Sequence, residues 1–143
     1  MNRTEIADWA GDYVGLPFAE HGRDRAGLDC WGLVRLVLGE RFGVSLPSHA
    51  TDYRSTLDAD VVGALISRGM RPAWRRVDGP GRVGDVALLR VRGAPMHVGV
   101  VVAPGVMLHI EQGIDSVIER SDGLRWKMRL LGIYRHEDLD DTS

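Results

Sequence analysis

One thiol stands out in the sequence, because Cys30 is the only cysteine among the 143 residues. It lies in the stretch 26–36, AGLDCWGLVRL, at the start of an amphipathic run. It therefore has no partner for an intramolecular disulfide or a cysteine-bound cluster. A thiol in the first turn of a helix lies near the positive end of the helix dipole, which favours the thiolate and lowers the thiol pKa. The position favours nucleophilic attack by sulfur, with Gly32 leaving space beside it.

Such a thiol needs a base, and two of the histidines, His97 and His109, lie in β-rich segments joined by the short turn 103–105. If this turn has three residues, Gly99 pairs with His109, and the two imidazoles lie on one face of the hairpin within reach of each other. A two-residue turn would place them on opposite faces. The three-residue turn predicts a triad of Cys30 as nucleophile, His97 as base and His109 as the group that orients His97.

Other interpretations of these residues stay open. A lone buried cysteine and two strand histidines can be purely structural. Their side chains are also of the type that binds zinc, although we expect neither a metal nor a cofactor. The stretch 79–84, GPGRVG, matches the dinucleotide motif G-x-G-x-x-G to the letter. A β-rich segment follows it in place of the helix that pyrophosphate binding requires, so we expect no dinucleotide site.

The helices that must position the thiol follow from the spacing of apolar residues. We expect a short helix over residues 4–11, a helix from Asp29 to about Arg41, and a third helix over residues 58–68. In the second helix Asp29 is the N-cap and Gly43 the end, so that the thiol falls in the first turn.

A run of β-rich segments comes after the helices and carries both histidines. Glycine, proline and aspartate separate the segments, which we place at residues 85–91, 97–102, 106–111, 116–120 and 129–135. Helices first and an antiparallel meander afterwards indicate an α+β fold. We expect one domain over residues 1–143, with a frayed tail at 136–143.

Charge and hydropathy limit the classes of partner. With 18 basic and 20 acidic residues the formal net charge is −2, so we expect no nucleic-acid partner. No stretch approaches about 18 consecutive apolar residues, and the N-terminal stretch lacks the apolar core of a signal peptide, so we expect no membrane insertion and synthesis in the cytoplasm without export by that route. A cluster of arginines is more typical of a solvated surface than of a site for an acidic substrate: Arg68, Arg71, Arg75, Arg76 and Arg82.

Four segments of the sequence, in this order, resemble the NlpC family of papain-like cysteine peptidases, which cut the peptide stems of bacterial cell walls: GLPFAEHGRDRAGLDCWGLVRL, GRVGDVALL, MHVGVVV and VMLHIEQG. The likeness is greatest to the short members encoded with phage tails and gene transfer agents. It spans residues 5–135, and its most specific part is Asp29-Cys30 with Gly32-Leu33. The resemblance implies a papain-like α+β fold in which the cysteine-bearing helix packs on an antiparallel sheet that bears the histidines.

The resemblance also implies a reaction and roles for residues. Cys30 falls on the family nucleophile, His97 on the base and His109 on the residue that orients the base. The implied reaction is hydrolysis of an amide in the peptidoglycan stem, by analogy the bond between D-glutamate and a diamino acid, without metal or cofactor. The residues expected to bind substrate are Phe18, His21, Asp29 and Trp31.

Two positions depart from the family pattern. Many members have tyrosine or tryptophan where Phe18 stands, and phenylalanine has no group that can donate a hydrogen bond to an oxyanion. Oxyanion support then comes from the Cys30 backbone N–H and a second donor, for which His21 is the candidate. Many members have serine or alanine after the cysteine, where this chain has Trp31, and this difference bears on which bond is cut.

Without a signal peptide, a cell-wall enzyme must be delivered, and we expect delivery in the tail of a phage-like particle that acts on the wall of a target cell. The expected partners are the stem peptide and tail-hub proteins. Two alternatives remain: a catalytically silent structural or adaptor module of a tail tip, and another thiol acyl transfer. An ion-paired thiolate at Cys30 reacts fast with iodoacetamide at pH 6, whereas a structural cysteine reacts slowly.

Overall fold

One α-helix and a six-stranded antiparallel sheet form most of the described part of the chain, which comprises residues 5–52, 73–91 and 94–139 of a computed structural model. A two-stranded ribbon precedes the helix. The elements in chain order are β1 (Arg23–Asp24), β2 (Gly27–Leu28), α1 (Cys30–Phe42), β3 (Trp74–Val77), β4 (Val86–Val91), β5 (Ala94–Ala103), β6 (Val106–Glu111), β7 (Ile114–Arg120) and β8 (Leu130–His136).

Helix α1 begins and ends where its sequence signals predict. The Asp29 side chain accepts a hydrogen bond from the backbone N–H of Gly32, which caps the first turn. Gly43 follows the last residue in the left-handed conformation, with φ of 66°, and its N–H bonds to the carbonyl of Leu38. The buried face of the helix packs on the sheet through Leu33, Val34, Val37 and Leu38. This helix fixes the thiol at its N-terminus, above the sheet.

The sheet has the strand order β3-β8-β4-β5-β6-β7, with antiparallel pairing throughout. Strands β4 to β7 form the predicted meander, and each predicted β-rich segment is a strand. The chain then returns, so that β8 pairs with β4 on the opposite side from β5. Strand β3 was not predicted, because WRRV is short, lies at the edge of the sheet and carries two adjacent arginines.

The hairpin of β5 and β6 decides where the two histidines point. The prediction of a three-residue turn is wrong, because Ala103 pairs with Val106 across a two-residue turn. A bulge between Val101 and Ala103 offsets the difference, so that Val101 pairs with Met107, which is the register that a three-residue turn would give. His97 and His109 therefore share one face of the sheet, as predicted.

Both faces of the sheet are covered. Helix α1 covers the first face, where Leu88, Val98, Val100 and Leu108 lie in the main core. Alternate residues point to the second face, because side chains of a strand alternate in direction. There a smaller cluster is closed by Trp126, from the segment that joins β7 to β8, and comprises Ala87, Leu89, Val101, Met107, Trp126 and Ile133.

Three other predictions concern the first helix, the third helix and the C-terminal tail. The first helix is a 3-10 helix over Asp8–Tyr13, without a side-chain cap, so the predicted start and type were wrong. The predicted third helix, 58–68, lies outside the described residues. The prediction of fraying is wrong for residues 136–139, because His136 ends β8, Glu137–Leu139 forms a 3-10 turn and Leu139 is buried. No helix in the described ranges is long and apolar enough to cross a membrane.

Candidate active site

Cys30 lies at the first position of α1 with its side chain in the main core, where the residue is 6% exposed. The backbone amides of Val98 and Trp31 lie beside the sulfur and favour its thiolate form. Val98 is the residue after His97 in β5, so the helix terminus brings the thiol to the strand that carries the predicted base. This contact spans two elements that are far apart in the sequence.

The protonation state of Cys30 differs from the sequence prediction. Burial, followed by the nearby Asp29 carboxylate, raises the pKa of the Cys30 thiol to about 12. The helix dipole favours the thiolate only modestly, whereas removal of a thiolate from water is costly, so burial dominates. The predicted lowering of the thiol pKa is therefore wrong for the conformation described. The thiol is protonated there at neutral pH.

The two strand histidines form a hydrogen-bonded chain that continues to a carboxylate. His97 Nε2 lies 2.9 Å from His109 Nδ1, and both side chains are buried. His109 Nε2 lies 2.8 Å from Glu119 Oε1 on β7. Arg125 donates from Nη1 to the same Glu119 oxygen at 2.9 Å, and from Nη2 to Glu111. The chain thus runs from the strand beside the thiol to a surface arginine.

Trp126 packs over both imidazoles and shields them from solvent. Its ring stacks on that of His97 at a centroid distance of 5.3 Å and meets that of His109 edge-on at 5.5 Å. Burial, followed by the neighbouring His109 and Arg125, lowers the pKa of His97 to about 3. Burial likewise lowers the pKa of His109, although Glu119 and Glu111 act in the opposite direction. Both imidazoles are therefore neutral at pH 7, so the resting site is an uncharged thiol with an uncharged base.

These pKa directions predict how the thiol reacts. We expect iodoacetamide to alkylate Cys30 slowly at pH 6 and about tenfold faster for each pH unit up to pH 10, because the thiolate fraction rises tenfold per unit below the pKa. Cys30 is the only cysteine, so the mass of the modified protein reports this residue alone. Urea-unfolded protein is the control, with a plateau above about pH 9. A plateau below pH 8 in the folded protein would instead indicate an ion-paired thiolate.

Asp29 is the best-connected of the predicted site residues. It is fully buried, and Oδ1 accepts from Arg23 Nη1 at 2.8 Å and from the Gly32 amide at 2.9 Å. Oδ2 accepts from the His21 amide at 3.0 Å. Both oxygens are thus bonded within the chain, and neither is exposed to a substrate. This placement gives Asp29 the role of fixing the start of α1, in contrast to the substrate contact expected from the sequence.

The remaining predicted substrate-binding residues lie around the start of α1. Phe18 forms an isolated parallel bridge with Leu28 and packs partly buried against the main core. His21 has a positive φ of 63°, in the loop that Asp29 anchors. The half-buried Trp31 donates its indole N–H to the Pro47 carbonyl at 2.8 Å. The structure therefore places Trp31 against the segment after α1.

Glycine matters at two positions near the site. A Cβ on Gly32 would lie 2.0 Å from the Gly22 carbonyl oxygen, so this glycine admits the neighbouring backbone and its predicted role of leaving room beside the sulfur was wrong. A Cβ on Gly99 would lie 3.2 Å from the His109 Cβ and 3.0 Å from the Met107 sulfur. The absence of a side chain at Gly99 therefore leaves room for His109.

Several residues around the histidines were not predicted from the sequence. Glu119, Arg125, Trp126 and Glu111 come together through the β6–β7 register, in which His109 pairs with Val117, and through the segment after β7. A search for carboxylates on the strand next to His109 would have found Glu119 once the register was known.

Of the arginine cluster, Arg68 and Arg71 lie outside the described residues. Within those described, no three His, Cys, Asp or Glu side chains converge as a metal site.

Comparisons with known proteins identify relatives of this chain. Residues 15–135 match the NlpC/P60 family. The chain is 27% identical over 127 residues to the murein DD-endopeptidase MepS/murein LD-carboxypeptidase of Escherichia coli strain K12, with 89% of this chain and 59% of that protein aligned. It is 26% identical over 125 residues to the tail tip assembly protein K of Escherichia phage N15, with 87% of this chain and 51% of that protein aligned. The chain thus spans between about half and three fifths of these relatives.

Solved structures share the fold. The NlpC/p60 domain of the peptidoglycan hydrolase SagA superposes with a TM-score of 0.60 at 18% identity, over 88% of this chain and 92% of that one. An NlpC/P60 family protein from Bacillus cereus ATCC 10987 superposes with a TM-score of 0.64 at 19% identity, over 94% of this chain and 41% of that one. These likenesses confirm the predicted papain-like α+β fold, with a helix packed on an antiparallel sheet.

Proposed function

The chain belongs to the NlpC/P60 family of peptidoglycan hydrolases, and we propose that it is a cysteine peptidase that hydrolyses an amide bond of the peptidoglycan stem. The observation that carries the proposal is the hydrogen-bonded chain from His97 through His109 to Glu119. It begins on β5, where the backbone amide of the next residue, Val98, lies beside the thiol of Cys30. Acyl transfer requires a base within hydrogen-bond reach of the nucleophile, and the role proposed for His97 is to reach the Cys30 thiol in this way. We also propose that residues 1–143 form one domain of this type.

In the proposed mechanism the thiol starts neutral. As the Cys30 sulfur attacks the carbonyl carbon of the substrate, Nδ1 of His97 takes the thiol proton. The carbonyl oxygen gains negative charge, which the backbone N–H of Cys30 stabilises together with a second donor, for which we propose His21. A donor of this kind contributes about 3 kcal/mol to the transition state.

The second half of the reaction returns the site to its starting state. His97 gives its proton to the leaving amine, and the acyl group remains as a thioester on Cys30. His97 then takes a proton from water, which attacks the thioester carbonyl and releases the acid with Cys30 as the leaving thiolate. The thiolate takes this proton back from His97, which restores the neutral thiol and the neutral imidazole. His109 keeps the ring of His97 oriented throughout, because it bonds Nε2 of that ring. No metal or cofactor takes part in this sequence of steps.

The substrate bond that we propose is the amide between D-glutamate and the diamino acid of the stem. Its basis is the family resemblance around Cys30, and the murein endopeptidase relative supports a cell-wall substrate. Phe18, His21 and Trp31 surround the start of α1, so they are the side chains proposed to meet the stem. Trp31 is bonded to the Pro47 carbonyl and thereby shapes one side of this region.

We propose that a phage-like tail carries the protein to the wall of a target cell, with tail-hub proteins as its partners. The likeness to a tail tip assembly protein supports this proposal. Fractionation of producing cells tests it: the protein should co-purify with particles. Its presence in the cytoplasm alone, and its absence from purified particles, would contradict delivery by a tail.

Release of soluble peptides from purified sacculi tests the proposed activity. We expect the wild-type chain to release stem fragments, and mass spectrometry of the products to show one added water per bond cut. Products joined to another amine or to a lipid would identify the acyl-transfer alternative instead. Intact sacculi after prolonged incubation would favour the silent tail-tip module, for which the buried neutral thiol is the supporting observation.

A further inference from the structure

Glu119 lies at the end of the histidine chain and has no counterpart in the predicted triad. We propose that Glu119 is a positioning residue: it fixes a proton on Nε2 of both His109 and His97, and so leaves Nδ1 of His97 free to accept the thiol proton. This inference rests on the proposed function, because it assigns the base of that reaction. It is carried by the two hydrogen bonds His97–His109 and His109–Glu119.

The proton positions follow from the chemistry of the three groups. An ionised carboxylate only accepts hydrogen bonds, so at 2.8 Å from Glu119 the Nε2 of His109 must donate. A neutral imidazole has one N–H, and Nδ1 of His109 is therefore an acceptor. At 2.9 Å from that acceptor, Nε2 of His97 must donate in turn. Nδ1 of His97 then carries the lone pair, which is what a base needs.

The surroundings of Glu119 keep its carboxylate ionised. Burial acts to raise the pKa of Glu119, but the Trp126 indole, His109 and Arg125 outweigh it and lower the pKa below its usual value. The Trp126 indole N–H is buried and meets no hydrogen-bond partner among the described residues. It nevertheless lies close enough to the Glu119 carboxylate to help lower its pKa. The Arg125 guanidinium lies 4.6 Å from the centre of the Trp126 ring, so it also packs on the indole that covers both histidines.

A purely structural role for Glu119 would be to anchor Arg125 and the segment around Trp126. Glu111 provides the matched control, because it hydrogen-bonds the same arginine through Nη2 and acts on His109 through its charge alone. Glu111→Leu removes one carboxylate from Arg125 and leaves the histidine chain intact. Glu119→Leu removes the carboxylate that His109 needs. The two variants therefore separate anchoring of the arginine from control of the proton positions.

The test combines steady-state kinetics with nitrogen-15 spectra of histidine-labelled protein, in which protonated and unprotonated ring nitrogens resonate at different shifts. We expect both His97 and His109 of the wild-type chain to carry the proton on Nε2. In Glu119→Leu, His109 should populate the other tautomer, and kcat should fall at least about tenfold with KM little changed, because a wrongly protonated base cannot accept the thiol proton. Glu111→Leu should retain the wild-type spectrum and kcat within about twofold.

Three results would overturn the proposal. The first is a proton on Nδ1 of His97 in the wild-type spectrum, which needs no variant to fold and no activity to be measured. The second is a kcat of folded Glu119→Leu equal to that of the wild-type chain. The third is an equal fall in kcat for Glu119→Leu and Glu111→Leu, which would assign the effect to Arg125. If the wild-type chain released no peptides, the proposed function would fail, and the wild-type spectrum would still decide the proton positions.

Discussion

A Cys30→Ala variant is expected to release stem peptides from purified sacculi at least about a thousandfold more slowly than the wild-type chain. Alanine has no nucleophile, and the donors that remain at the site contribute only the residual catalysis typical of triads that have lost their nucleophile. Release of dye-labelled fragments from labelled sacculi, followed over time at several enzyme concentrations, gives the two rates. Thermal unfolding of both proteins accompanies the assay.

The control for this prediction is Cys30→Ser, which fills nearly the same volume in the core. A hydroxyl gives up its proton far less readily than a thiol, and the neutral His97 is a weak base, so serine should also lose most of the activity. Loss in both folded variants assigns the effect to sulfur chemistry. Release by folded Cys30→Ala at more than about a tenth of the wild-type rate would contradict the role of Cys30 as nucleophile.

An Asp29→Ala variant is expected to lower the free energy of unfolding by about 3–5 kcal/mol, the cost of leaving a buried charge without its partner. Arg23, whose side chain is 13% exposed, would lose that carboxylate partner, and the fully buried carboxylate would no longer cap α1. The amides of His21 and Gly32 would also lose their acceptors. Urea unfolding monitored by circular dichroism at pH 7 measures the change.

Two further variants serve as references for this loss of stability. Asp12→Ala removes an exposed carboxylate that lies 3.3 Å from Arg41, and it should change the free energy of unfolding by less than about 1 kcal/mol. Asp29→Asn keeps an oxygen that can cap the helix but loses the charge that faces Arg23, so its destabilisation should fall between the other two. A loss in Asp29→Ala no greater than that in Asp12→Ala would show that the Asp29 network contributes little to the fold.

The parts of the fold that the sequence predicts well are those set by local signals. Helix α1 is predicted to within a residue, because Asp29 and Gly43 mark its ends and its apolar residues recur every three or four positions. The register of the β5–β6 hairpin is also predicted, although the turn length is not. A bulge between Val101 and Ala103 compensates for the shorter turn, and nothing local in the sequence distinguishes a bulge from an added turn residue.

The parts that could not be predicted depend on contacts between distant segments. Glu119 reaches His109 only through the β6–β7 pairing, and Trp126 reaches both histidines from a segment with no periodic pattern. The raised pKa of the Cys30 thiol also depends on contacts between distant segments, because burial causes it. A position at a helix terminus predicts a lowered thiol pKa, but the extent of burial is set by α1 packing on β5, which no local pattern reveals.

The most direct measurement is mass spectrometry of defined muropeptides after incubation with the wild-type chain and, in parallel, with Cys30→Ala. We predict that the wild-type chain splits the stem between D-glutamate and the diamino acid, with one water added across the bond, and that Cys30→Ala leaves every muropeptide intact. Muropeptides that stay intact with the wild-type chain, or that are cut equally by both proteins, would contradict a cysteine peptidase acting on the peptidoglycan stem.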